Sequence, residues 1–232
     1  MEYSHVGDIL FFGGSMIKGC IFDLDGTLLD SMHVWDDFAF SYLISKGIQT
    51  NENLDEVFST LRMEEAVAYL QKHYVQKESL ETVHDEVYAL LKKRYIHMEL
   101  KPGVKECIQK LSTMPVTLCV LSANHKEVCE TALKKHGLSN KFSYILSCED
   151  IHLSKDDPAC FYYACEKMQL KPAECIVIED ALHAVSGAKK AGCYVVAVKE
   201  KSQQKDEEKI RSMADAYIED MQELEEILCR KF

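Results

Sequence analysis

No apolar stretch of this chain approaches the roughly 20 residues that a membrane span needs, so no membrane partner is expected. A secretion signal is not expected either. The short run Ile9-Leu10-Phe11-Phe12 follows Glu2 and Asp8, where a signal would place basic residues before a longer apolar run. Residues 1–15 are therefore read as an extension ahead of the fold. Basic excess is absent: the net charge is -11, which argues against nucleic acid. That balance does not favour anionic substrates either, so any phosphate site must be built locally. Among the ten cysteines there is no C-x-x-C pair, and no Cys/His cluster has zinc spacing. Cys20, Cys107, Cys119, Cys175 and Cys193 read as small buried hydrophobes. Cys160 and Cys165 share a helix and are expected to lack partners. So many unpaired thiols suggest a reducing, cytoplasmic setting. No electropositive thiol context points to redox sensing. Repeats and low-complexity segments are missing too.

What remains is a chain of 232 residues that is 47% apolar, enough for one α/β domain or a core with a smaller insert. Short apolar runs at Ile17–Phe22, Val116–Leu121, Tyr144–Ser147, Cys175–Ile178 and Tyr194–Val198 read as strands. Ala216-Tyr217-Ile218 reads as a short edge strand, followed by a helix over Met221–Leu228. Helical spacing separates most strands: Val104, Cys107, Ile108 and Leu111, then Val128, Ala132 and Leu133, then Phe161, Ala164, Cys165 and Met168. Strands alternating with helices predict βαβ units and a parallel sheet covered on both faces. The charged run Lys199–Arg211 reads as a solvated loop and helix face.

From Val34 to His97 the period is helical only. Leu54, Val57, Phe58 and Leu61 form one stripe. Ala66, Val67, Tyr69 and Leu70 form a second, and Leu80, Val83, Val87, Leu90 and Leu91 a third. This predicts an insert of about four helices, residues 34–97, with Lys101-Pro102-Gly103 marking the return to the core. The α/β core is then 16–33 with 98–232. Ligands of open α/β sheets bind beyond the carboxyl ends of the strands, so an insert after the first strand is expected to act as a lid.

Asp23-Leu24-Asp25-Gly26-Thr27 closes the first strand. Two carboxylates two apart on a strand point the same way, and cannot cheaply both ionise without a cation or a shared proton. Gly26 allows a sharp turn. A polar strand end is the plainer alternative. Ser122 follows the strand Val116–Leu121 in Leu121-Ser122-Ala123-Asn124, where a serine often caps a helix. Lys155 stands in Leu153-Ser154-Lys155-Asp156-Asp157-Pro158, and a loop lysine is usually solvated. Glu179-Asp180 follows Cys175–Ile178. Acids at the end of a buried strand are costly unless paired or metal-bound, though Asp180 could cap the next helix.

Together these segments resemble the haloacid dehalogenase-like hydrolase superfamily, signature D-x-D-G-T, over almost the whole chain from Ile17. The likeness is to the C1-capped phosphatase and β-phosphoglucomutase-like subgroup, with a Rossmann-like parallel sheet and an inserted helical cap. All four motifs fall at strand carboxyl ends in family order. The departures are Asp156, where relatives commonly carry Pro, and Ala181 and Ala184, where many carry Ser and Gly.

The resemblance implies an Asp23 nucleophile that forms an aspartyl-phosphate, and an Asp25 that protonates the leaving alkoxide and then activates water. It implies Mg²⁺ held by Asp23, the Asp25 carbonyl and Asp180, with Glu179 acting through a water. Ser122 and Lys155 would bind phosphoryl oxygens, with Thr27, Ala123 and Asn124 as further contacts of the substrate. Between Ser143 and Ser154 no second lysine competes with Lys155. In the lid, Arg62 and His33 are candidate substrate contacts. The implied partner is a small-molecule phosphate ester; the oligomeric state is not implied. Asp25 counts against dehalogenases and phosphonate hydrolases, which lack it. A β-phosphoglucomutase-type mutase would carry a histidine where Trp35 stands. A catalytically silent binding protein on the same fold is the other alternative.

Overall fold

In the computed structural model the described residues are 10–12, 15–34, 37–58, 61 and 63–229. The chain divides into two compact units, one running to Asp30 and resuming at Glu99, the other Ser31–Met98.

The first unit is built on six parallel strands. They are β3 (Gly19–Phe22), β4 (Thr117–Ser122), β5 (Tyr144–Ser147), β6 (Cys175–Glu179), β7 (Tyr194–Val198) and β8 (Ala216–Ile218), in the order β5-β4-β3-β6-β7-β8. Every residue of β3 and of β6 is buried. That suits a sheet covered on both faces and explains why these runs are apolar throughout. Ile21 pairs with Cys119 on one side and with Val177 on the other. From β3 the chain moves outward through β4 to β5, then returns beside β3 as β6 and moves outward the other way. The reversal falls between β3 and β6, at the switch point where open α/β sheets hold ligands.

The helices are α5 (Val104–Leu111), α6 (Lys126–Lys135), α7 (Pro158–Lys167), α8 (Leu182–Ala191), α9 (Glu207–Met213) and α10 (Met221–Cys229). Val104, Cys107, Ile108 and Leu111 of α5 are all buried, as their spacing predicts. Phe161 and Ala164 of α7 share a core with Val185 and Ala188 of α8 and Val177 of β6. Along Lys199–Arg211 the chain is mostly exposed, with Ile210 of α9 turned into the core.

Three details differ from the sequence reading. The strand expected over Ile17–Phe22 divides at Lys18. Ser15–Ile17 (β2) turns back antiparallel on Leu10–Phe12 (β1), and only Gly19 onward joins the sheet. The rest of the segment 1–15 lies outside the described residues. Cys160, expected to lack a partner, has its Sγ 3.2 Å from Cys148 Sγ. Leu80, expected in an apolar stripe, is exposed. It opens its helix, so no preceding turn exists for it to cover.

The second unit is helical: α1 (Phe38–Ser45), α2 (Leu54–Phe58), α3 (Met63–His73) and α4 (Leu80–Tyr95). Ser79 caps α4 by accepting from the Thr82 amide at 3.1 Å. Tyr42, Leu43, Val67, Leu70, Val87 and Leu91 are buried. Lys46 ties α1 to the α4 side through Glu78 (2.8 Å) and Glu86 (2.5 Å), and Tyr42 also donates to Glu86 at 2.9 Å. Among the described residues no helix is long and apolar enough to cross a membrane.

Candidate active site

At the end of β3 the chain passes straight from sheet into a tight turn. The Asp23 amide donates to Ile178 of β6 at 3.0 Å, and the Gly26 amide to Leu29 at 3.0 Å. Gly26 has φ 81°, in the left-handed region, and a Cβ there would stand 2.7 Å from Asp180 Oδ2. Only glycine lets this turn lie against that carboxylate. Thr27, expected among the substrate contacts, is fully buried, and its hydroxyl donates to Asp180 Oδ1 at 3.1 Å. It braces an acid.

At the end of β6, Glu179 Oε2 accepts the amides of Asp180 (2.7 Å) and Ala181 (2.9 Å). Its Oε1 accepts Lys155 Nζ at 2.7 Å, and Lys155 also donates to Asp23 Oδ1. The Lys155 turn is held by the start of α7, where Pro158 occupies the first turn and Asp157 accepts the Ala159 amide at 2.9 Å. Asp180 is not a helix cap: α8 opens after Ala181, which makes no side-chain cap bond. Nor is Ser122, since His125 caps α6.

Asp23, Glu179 and Asp180 are thus buried together, with one ligand oxygen from each lying within 4.8 Å of the others. Burial raises the Asp23 carboxyl to about 8; Lys155 opposes that rise, while Glu179 and Asp25 add to it. Burial likewise holds Asp180 well above the carboxylate range, with Glu179 and Asp23 adding to it. Burial works against charge on Lys155, but Asp23 and Glu179 outweigh it and keep the ammonium protonated. One lysine therefore faces three desolvated acids, a balance that a further cation completes. The donors are all carboxylate oxygens, which suits a hard divalent cation, and the residues present fit one.

Ser122 is buried at the end of β4 and its Oγ accepts the Asn124 amide at 3.0 Å. Ala123 is exposed. Asn124, expected at the substrate, sends its side-chain amide to Asp25 Oδ2 at 2.6 Å. His33 is exposed in the helical unit. Arg62 and Trp35 lie outside the described residues.

Two supports were not read from sequence. Gly187 of α8 faces the Lys155 backbone, and a Cβ there would sit 2.0 Å from the Lys155 carbonyl oxygen. A glycine inside a helix costs about 1 kcal/mol against alanine, and that cost was the available signal. Lys101 is the second support. Its Nζ donates to the Gly26 carbonyl (2.6 Å) and the Lys199 carbonyl (2.8 Å), and pairs with Glu200 (2.7 Å). Burial pushes the Glu200 carboxyl up, but Lys101 outweighs it and the net shift is downward. A depressed carboxyl stabilises the fold above its unfolded pKa and loses that contribution as pH falls through its folded pKa. Lys101→Met is therefore expected to cost about 1–3 kcal/mol at pH 7. The deficit should shrink below pH 4, as followed by denaturant melts across pH.

Residues 20–198 match the family profile described as haloacid dehalogenase-like hydrolase. The chain belongs to that family. Membership, together with phosphatases among its relatives, marks it as a phosphohydrolase enzyme. The bifunctional riboflavin kinase/FMN phosphatase of Arabidopsis thaliana is 28% identical over 186 residues, 78% of this chain; the chain spans 48% of that protein. The validoxylamine A 7'-phosphate phosphatase of Streptomyces hygroscopicus subsp. limoneus is 27% identical, covering 79% of this chain and 86% of that protein. The β-phosphoglucomutase of Bacillus subtilis is 25% identical, covering 78% and 83%. In fold, the chain is similar to CbbY from Rhodobacter sphaeroides, solved in complex with phosphate. The TM-score is 0.75 at 19% identity, with 90% of this chain and 96% of that chain covered.

Proposed function

We infer that this member of the haloacid dehalogenase-like hydrolases is a Mg²⁺-dependent phosphatase of a small phosphorylated metabolite. The observation that carries this reading is the meeting of Asp23 with Lys155, Glu179 and Asp180 at the sheet's switch point, with Asp25 two positions on. A carboxylate oxygen of Asp23 attacks phosphorus, forming an aspartyl-phosphate as the ester oxygen departs. Asp25 gives that oxygen a proton, then takes one from the water that cleaves the acyl phosphate. Lys155 and Ser122 hold the equatorial oxygens. Asp23, the Asp25 carbonyl and Asp180 would hold Mg²⁺, with Glu179 one step behind. When bound, the cation neutralises charge on nucleophile and phosphate.

From its place in chain order, the helical unit is assigned the part of a C1-type cap, with Arg62 as its substrate contact. Cys20, Cys119, Cys129, Cys148, Cys160, Cys165, Cys175 and Cys193 are in no disulfide, which fits a reducing cytoplasm. The similarity to a β-phosphoglucomutase keeps a mutase as the second reading.

A panel of sugar, nucleotide and glycolate phosphates, assayed with Mg²⁺ and with EDTA, tests the assignment. Inorganic phosphate should appear with Mg²⁺ and fall at least about 100-fold in chelator. Release that is indifferent to chelation would sink it, as would isomer formation without net phosphate.

A further inference from the structure

Asn124 stands 99 positions from Asp25, yet its Nδ2 donates to Asp25 Oδ2 at 2.6 Å. The contact is built rather than incidental. Asn124 is 5% exposed, and its backbone amide is pinned at 3.0 Å on Ser122 Oγ, so the loop leaving β4 can present the amide in one direction only. The Asn124 carbonyl also accepts the buried Cys129 thiol at 3.8 Å, which ties the same residue to α6. β4 is the sheet neighbour of β3, so both ends of the Asn124–Asp25 bond rest on adjacent strands.

Resting on the phosphatase reading above, we propose that Asn124 is a positioning residue for Asp25. It fixes the orientation of the acid that serves the leaving group. An asparagine amide suits an acid that changes state during turnover. The N–H donates to Oδ2 whether Asp25 is ionised or protonated, so the bond survives both halves of the cycle. A lysine or arginine here would favour the ionised form, and a second acid would repel it.

The dependence on the leaving group separates this role from a structural one. A simple alkyl phosphate leaves as an alkoxide that must be protonated. 2,4-Dinitrophenyl phosphate leaves as a stabilised phenolate that needs no proton. In Asn124→Leu, close in shape but without the donor, kcat/KM for the alkyl ester should fall about 10–100-fold more than for the dinitrophenyl ester. Asp25→Asn should show the same selectivity, more strongly. Both esters are measured on one sample, so a lower folded fraction cancels from the ratio. If Asn124→Leu gives no soluble protein, Asn124→Ala takes its place with the same readout. A ratio within about threefold of the wild type overturns the proposal, as does a rise in KM on both esters with kcat unchanged, which would make Asn124 a substrate contact. If the wild-type protein cleaves neither ester, the phosphatase reading has failed; if it cleaves both and the variants lose both equally, only the role of Asn124 has.

Discussion

Asp23→Asn is expected to remove phosphate release by at least about four orders of magnitude while leaving the chain folded. An amide cannot form the acyl phosphate. Stability should not suffer. In the fold Asp23 is raised to about 8, mainly by burial, while an unfolded aspartate titrates near 3.9. A raised acid opposes folding increasingly as pH climbs from about 4 to about 8. Asparagine removes that opposition, and Lys155 keeps its bond to Glu179. At pH 8 in EDTA the variant should therefore melt no lower than wild type. Retained turnover would take the nucleophile role from Asp23. A collapse in melting temperature would show that its charge holds the fold together.

Gly187→Ala should behave opposite to the usual rule. In an exposed helix interior the change stabilises by up to about 1 kcal/mol. Here the new methyl would sit 2.0 Å from the Lys155 carbonyl oxygen and 3.1 Å from a Phe161 ring carbon. Neither can yield without moving the start of α7, so a loss of about 2–4 kcal/mol is expected by thermal or denaturant melts. The displaced backbone carries Lys155, and a shift near 1 Å should lower kcat about 100-fold. A variant as stable as wild type would show that the helix and the Lys155 loop are not pressed together.

The fold was legible where local pattern decides. Strands at Tyr144–Ser147, Tyr194–Val198 and Ala216–Ile218 begin and end where the sequence reading set them. The division at Lys18 was not legible, since Ile17 belongs to the apolar run by composition and to a hairpin by pairing. In the candidate site, the acids at the ends of β3 and β6 announce themselves as charge where a strand should end apolar. What those side chains touch was hidden. The Thr27 hydroxyl meets Asp180, 153 positions away, a bond that the motif does not announce. The bond from the Asn124 amide to Asp25 was hidden in the same way. No periodicity encodes such pairs, because they depend on which strands become neighbours. The cysteine pair at 148 and 160 was missed for a related reason, since a loop and a helix bring it together.

The order of strands in the sheet bears on how the protein is made. β6 lies beside β3 but is the fourth of the six sheet strands to be synthesised. A nascent chain that has emerged only as far as β5 displays Asp23 but has neither Glu179 nor Asp180 to set against it. At the metal site proposed above, a divalent ion would gain its full set of oxygens only once Glu179 and Asp180 have emerged. By mass action it would favour finished molecules over partly assembled ones.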